Sequence, residues 1–165
     1  MWSSNRRTFL LGALAAPALA ACGFTPAYGP QGGGAKLLSA LQVDAPQSQD
    51  DFAYRRRLSE RLGPAQTPRY RLSYTITTGV MGQAISQDDV TNRYSLNGTA
   101  TYRLYDMAND AVLLTGRVSS FTSWSATGTI VATQTAERDA HKRLMRILAD
   151  QTVTRLLAQA GSLPE

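Results

Sequence analysis

The chain has 165 residues, 18% charged and 43% hydrophobic, with a formal charge of +5 and a single cysteine. That length suits one domain with a modest core, and one cysteine excludes an internal disulfide. A single histidine, with no Gly-x-Ser-x-Gly elbow, His-Glu-x-x-His pair or phosphate-binding glycine loop, argues against an enzyme.

At the amino terminus, Arg6-Arg7 precede an alanine- and leucine-rich run from Phe9 to Ala21, interrupted by Gly12 and Pro17. A charged start, an apolar middle and a small-residue end predict an export signal over residues 1–21. The run is about thirteen residues, short of the ~20 that a spanning helix needs. Arg6-Arg7 followed by Thr8-Phe9-Leu10 resembles a twin-arginine motif, with Asn5 where that motif has Ser or Thr, so both export routes stay open. Leu19-Ala20-Ala21-Cys22 then resembles a bacterial lipobox. Cys22 is the candidate lipidation site, taking a diacylglycerol on sulfur and, after cleavage, an acyl chain on the new amino terminus. Two such signals hold a protein on a membrane where one chain would not. A nucleophilic role would need a base, and His141 lies far along the chain. Apart from the covalent lipid, no cofactor and no metal is expected. Gly23 is not the aspartate that retains lipoproteins in the inner membrane, which points to the outer one.

Without residues 1–21 the chain loses Arg6 and Arg7 and its formal charge falls from +5 to +3. An exported, anchored protein of this mild basicity has no nucleic acid to meet, and no second run is long enough to span a bilayer. Residues 22–35 form the lipidated cysteine and a Pro- and Gly-rich tether. The domain is expected over 36–165.

Lys36 to Val43 reads as a first strand, although its Leu and Ala content also allows helix. After a turn at Asp44–Gln49, residues 50–62 predict a helix: acids open it, basics follow, and Tyr54, Leu58 and Leu62 form the buried stripe. Gly63-Pro64 ends it. Arg69 to Val80 alternates, with Tyr70, Leu72, Tyr74 and Ile76 on one face. Asn92 to Asp106 does the same, and Asp106–Asp110 is a hairpin connection into a strand over 111–121 with Val112, Leu114 and Val118 inward. Gly82–Val90 reads as a polar loop with Asp88-Asp89 at a turn. The hydroxyl-rich stretch from Ser119 is a strand extension or a loop with Trp124 exposed. From Thr133 to Ala160 a helix is predicted, capped at Thr133 or Thr135, with two apolar stripes. The stripes mean either a bend around the helix's own sheet or a second surface, from this domain or from another protein.

The order β-α-β-β-β-α predicts an α+β fold, an antiparallel sheet of about four strands with two helices packed on one face. The other face would carry Arg69, Arg71, Arg93, Arg103 and Arg117 among Ser and Thr. Of these, Arg93 and Arg103 share one face of a strand and Arg117 lies on its neighbour, so strand pairing is expected to gather the three into a patch for a phosphorylated ligand. Solvated arginines that keep the face soluble are the simpler reading of the same residues.

Cys22-Gly23-Phe24-Thr25-Pro26-Ala27-Tyr28-Gly29, the strand "NRYSLNGTATYRLYD" after a polar loop, and a terminal helix containing Ala-Glu-Arg-Asp-Ala together resemble the LptE family. The resemblance covers the whole mature chain, with Ala27 where the family has a larger apolar residue. It implies a non-enzymatic lipoprotein on the periplasmic face of the outer membrane that plugs the LptD β-barrel, assists its assembly and binds lipopolysaccharide (LPS). Arg93, Arg103 and Arg117 are then the candidate LPS-binding residues. An envelope lipoprotein that acts as a structural adaptor, or binds another lipid, is the alternative.

Overall fold

The computed structural model describes residues 29, 33–85, 91–126 and 128–164. The export signal and Cys22 lie outside the described residues, as do Asp88 and Asp89. Four strands, β1 (Leu41–Val43), β2 (Tyr70–Ile85), β3 (Thr91–Asp106) and β4 (Val112–Ser125), form one sheet in sequence order. Two helices, α1 (Gln49–Leu62) and α2 (Ile130–Gln159), cover one of its faces. The order matches the predicted β-α-β-β-β-α.

The sheet is mixed rather than antiparallel throughout. β2, β3 and β4 pair antiparallel, whereas β1 pairs parallel to β2, Leu41 opposite Tyr70 and Val43 opposite Leu72. A parallel neighbour needs a crossover, and α1 supplies it. The predicted eight-residue first strand is shortened to three because Gly33–Lys36 is a 3-10 turn and Ser39 takes a φ of 58°. Gly33 of this turn sits against Ala160 and Gly161, and Gly34 is buried.

α1 starts where Ser48 adopts extended backbone and its Oγ accepts the Asp51 N–H at 3.0 Å. Asp50 and Asp51 then face the positive end of the helix dipole. Its stripe of Tyr54, Leu58 and Leu62 is fully buried, as the spacing predicts. Gly63 ends the helix at a φ of 81°, a conformation that glycine adopts without a Cβ penalty.

In β3, Leu96, Ala100, Tyr102 and Leu104 point into the core and alternate with exposed residues. A register shift between Leu104 and Tyr105 pairs Tyr105 with Val112 and Leu104 with Leu114. The extra residue turns Val112 to the outer face, where it is 52% exposed, so the prediction that it points inward is corrected. The strand also runs to Ser125, and Trp124 is buried rather than exposed, stacked on Tyr94 with ring centroids 5.2 Å apart.

α2 begins at Ile130, three residues before the predicted start. Its cap is Thr129, whose Oγ1 accepts the Ala132 N–H. Its two apolar stripes are both used inside the domain: one lies on the sheet and the other on α1. The sheet contact is close, since a Cβ on Gly98 would come within 2.7 Å of the Leu144 side chain. On the α1 side, Tyr54 reaches Thr152.

Candidate functional site

Because both helices lie on one face, the opposite face of the sheet has no covering layer among the described residues. Odd-numbered residues of β2 and β3 point to it. Thr75 and Thr77 on β2, Thr101 on β3, and Thr115 and Ser119 on β4 are exposed there and present a hydroxyl ladder. At the base of this face, Arg71 stacks over its cross-strand partner Tyr105, 4.7 Å from the ring centroid, and lies between Asp44 (3.9 Å) and Asp110 (3.5 Å). At the far end Met81 and Phe121, 62% and 68% exposed, flank Asn97.

The three predicted arginines are all exposed on this face, but the register separates them. Arg103 pairs with Thr115, and Arg117 pairs with Thr101, one step along the same face. Their Cβ atoms are thus diagonal neighbours, roughly 7–8 Å apart. Arg93 pairs with Ser125 at the other end of β3. Ten strand residues at about 3.3 Å each put it roughly 33 Å from Arg103. The expected patch of three is corrected to a pair and a distant third.

A second basic surface lies on the helix side. α1 and α2 enclose an open groove of about 1350 Å³, lined by Phe52, Arg56, Arg57, Arg138, Lys142 and Arg146 among others. Its floor is tied by ion pairs between the helices. Arg57 grips Asp150 with both Nε (2.9 Å) and Nη2 (3.0 Å), Arg61 adds a third bond at 3.0 Å, and His141 Nδ1 sits 2.8 Å from Asp50. Arg56 and then Arg57 hold the Glu60 carboxyl below its usual range, and Asp150 and Glu60 raise the affinity of Arg57 for its proton. The groove wall is different. Arg138, Lys142 and Arg146 repeat every four residues along α2, are exposed, and have no ion pair or hydrogen bond among the described residues. Facing them is Phe52, 61% exposed. Unpaired cations beside an aromatic ring suit an anionic ligand with some apolar surface.

Sequence reading weighs Arg56 and Arg57, with Arg55, as a solvated helix face or a contact with anionic lipid or barrel, but does not name Arg138, Lys142 or Arg146. The i, i+4, i+8 spacing of Arg138, Lys142 and Arg146 was the available signal, hidden because the apolar stripes of the same helix dominate its pattern.

A family model described as LptE, lipopolysaccharide-assembly, matches residues 38–156. No curated protein matches the sequence. Among solved structures, a Caulobacter crescentus protein described as a lipoprotein superposes with a TM-score of 0.66 at 23% identity, covering 81% of this chain and 99% of its own. Rare lipoprotein B from Shewanella oneidensis gives 0.55 at 12% identity, covering 74% and 95%. Lipoprotein B from Nitrosomonas europaea gives 0.54 at 14%, covering 73% and 84%. At these identities the three share the fold with this chain. The family match spans most of the sequence, including both helices' core residues and all four strands, and the chain belongs to the LptE family of lipopolysaccharide assembly.

Proposed function

We propose that this protein is the lipid-anchored partner of the LptD barrel in the outer membrane, plugging the barrel, assisting its assembly and binding LPS during delivery to the surface. The observation that carries this reading is the uncovered sheet face of a lipopolysaccharide-assembly family member: a polar, hydroxyl-rich surface of the kind that matches a barrel's polar lumen. In this reading Cys22 carries the acyl chains and holds the domain on the periplasmic face. Arg103 and Arg117 supply one phosphate contact and Arg93 a separate one, through charge-assisted hydrogen bonds. The groove cations Arg138, Lys142 and Arg146 offer a further anionic subsite.

The test is gentle detergent extraction of native membranes containing the tagged full chain with Cys22 intact, followed by mass spectrometry of the co-purifying proteins. A near-stoichiometric outer-membrane barrel is the expected result. The protein alone, or with an inner-membrane partner, would sink the reading.

A further inference from the structure

The two long edges of the sheet are treated differently. Along β4, two arginines of α2 reach over and occupy outward-facing carbonyls: Arg155 Nη1 donates to the Arg117 carbonyl at 2.7 Å and Arg143 Nη2 to that of Ser123 at 3.1 Å. Covering an edge with charged side chains is how sheets avoid unwanted pairing. Among the described residues β2 has no such guard. β1 accompanies it only as far as Leu72, whose carbonyl accepts the Asp44 N–H at 3.0 Å. That bond and the one from the Tyr70 N–H to Ala40 show that even-numbered residues of β2 direct their backbone groups away from β3. Beyond Leu72, the N–H and C=O groups of Tyr74, Ile76, Thr78 and Val80 therefore face outward, and none has a partner among the described residues.

The sequence of this edge is equally unguarded. From Leu72 to Ile85, "LSYTITTGVMGQAI", there is no charge and no proline. Two further features mark it as unfinished. Gly79 has an ordinary φ and open space where a Cβ would stand, so nothing among the described residues requires glycine at that position. The Tyr74 hydroxyl is buried with no hydrogen-bond partner.

We propose that the β2 edge from Tyr74 to Val80 receives an extended segment of a partner chain by strand addition, making a five-stranded sheet. The chemistry selects a strand over other occupants. An anionic lipid finds no cation on this strand, and Arg55 of α1, which lies near Tyr74, is accompanied there by Asp44 and Asp51, whereas a strand finds a run of unpaired donors and acceptors. On the helix side it would lie beside Ile76 and Val80, and on the open side beside Thr75 and Thr77, so its own side chains alternate apolar and hydroxyl-bearing. A second copy of this chain is disfavoured because both copies carry net positive charge. The partner is the barrel protein proposed above, and the inference rests on that reading. A closed barrel has no free edge in its wall, so the added strand is a loop or terminal segment of it.

Backbone hydrogen exchange, compared between the co-purified complex and the chain alone, tests this. The amides of Tyr74, Ile76, Thr78 and Val80 are expected to exchange at least about tenfold more slowly in the complex, while the outward amides of β4, such as Ser119, are unchanged. A complex in which the β2 amides exchange as in the free chain overturns the inference and leaves the function standing. Failure to recover any barrel overturns both. Concentration-dependent protection in the chain alone means that a second copy occupies the edge, which also overturns it. Thr78→Pro removes an outward N–H that the β2–β3 ladder does not use, and Val80→Lys adds a gatekeeper charge; either, if folded, should reduce barrel recovery about tenfold or more. Undiminished recovery with both variants folded would count against the proposal.

Discussion

The hydroxyl of Tyr54 on α1 donates to Thr152 Oγ1 on α2 at 2.8 Å, and that same oxygen lies 2.9 Å from the Leu148 carbonyl, to which it donates in turn. Both residues are fully buried, so the two helices are joined by a short relay inside the core as well as by the ion pairs on its rim. The relay predicts an asymmetry. Tyr54→Phe removes a donor but leaves Thr152 bonded to Leu148, costing about 1 kcal/mol. Thr152→Val leaves the Tyr54 hydroxyl buried and unsatisfied and costs about 1–3 kcal/mol. Chemical denaturation of the two variants should place Thr152→Val below Tyr54→Phe.

Alkaline stability follows from the same core. Burial pushes Tyr54 well above the ordinary tyrosine value of 10.0, with the Thr152 hydrogen bond opposing it in part. Burial first, then Asp51, pushes Tyr74 up to about 12, and burial also raises Tyr102. Below pH 10 these phenols are protonated in both states and their stabilisation is fully present. As pH rises further, the unfolded chain releases protons that the folded chain retains, so stability falls from about pH 10 through 12. A spectrophotometric titration should show late-ionising tyrosines among the seven of the chain, with unfolding accompanying their release.

Much of this fold is legible where one face alone is buried. Tyr54, Leu58 and Leu62 announce α1, and the alternation around Leu96, Ala100 and Tyr102 announces β3, because each element has one side in the core. Position along a strand is less legible than face: Arg93 and Arg103 share a face correctly, yet ten residues of strand put them at opposite ends of the sheet. Val112 is misjudged because alternation carries no sign of the bulge at Leu104. Trp124 is misjudged because its burial depends on Tyr94, a residue thirty positions away whose register no local pattern reveals. The parallel pairing of β1 is hidden for a similar reason, since three residues carry too short a pattern to state a direction.

Gly116 offers a packing test. It pairs with Tyr102, and a Cβ at Gly116 would overlap the Tyr102 phenol, which is 2% exposed and has little room to move. Gly116→Ala should destabilise the domain by about 1–3 kcal/mol through overpacking. Trp124 reports the transition by fluorescence, since the other tryptophan, Trp2, falls within the predicted export signal. A variant as stable as the parent would show that the phenol has an alternative seat.

The groove between the helices gives a binding prediction that the core cannot confound. Arg138, Lys142 and Arg146 support no ion pair among the described residues, so replacing them leaves the Arg57–Asp150 and His141–Asp50 ties in place. If they meet phosphates of LPS, each surface contact is worth up to about 1 kcal/mol, or roughly fivefold in affinity. Arg138→Gln alone should weaken LPS binding about fivefold or less, and the triple Gln variant by roughly a hundredfold at most. The dependence of binding on salt should also flatten as the cations are removed, because screening acts on the charges that are lost. Titration of purified LPS at two ionic strengths separates the outcomes. An unchanged affinity and an unchanged salt slope in the triple variant would clear the groove of any part in binding and leave Arg103 and Arg117 to be tested on the sheet.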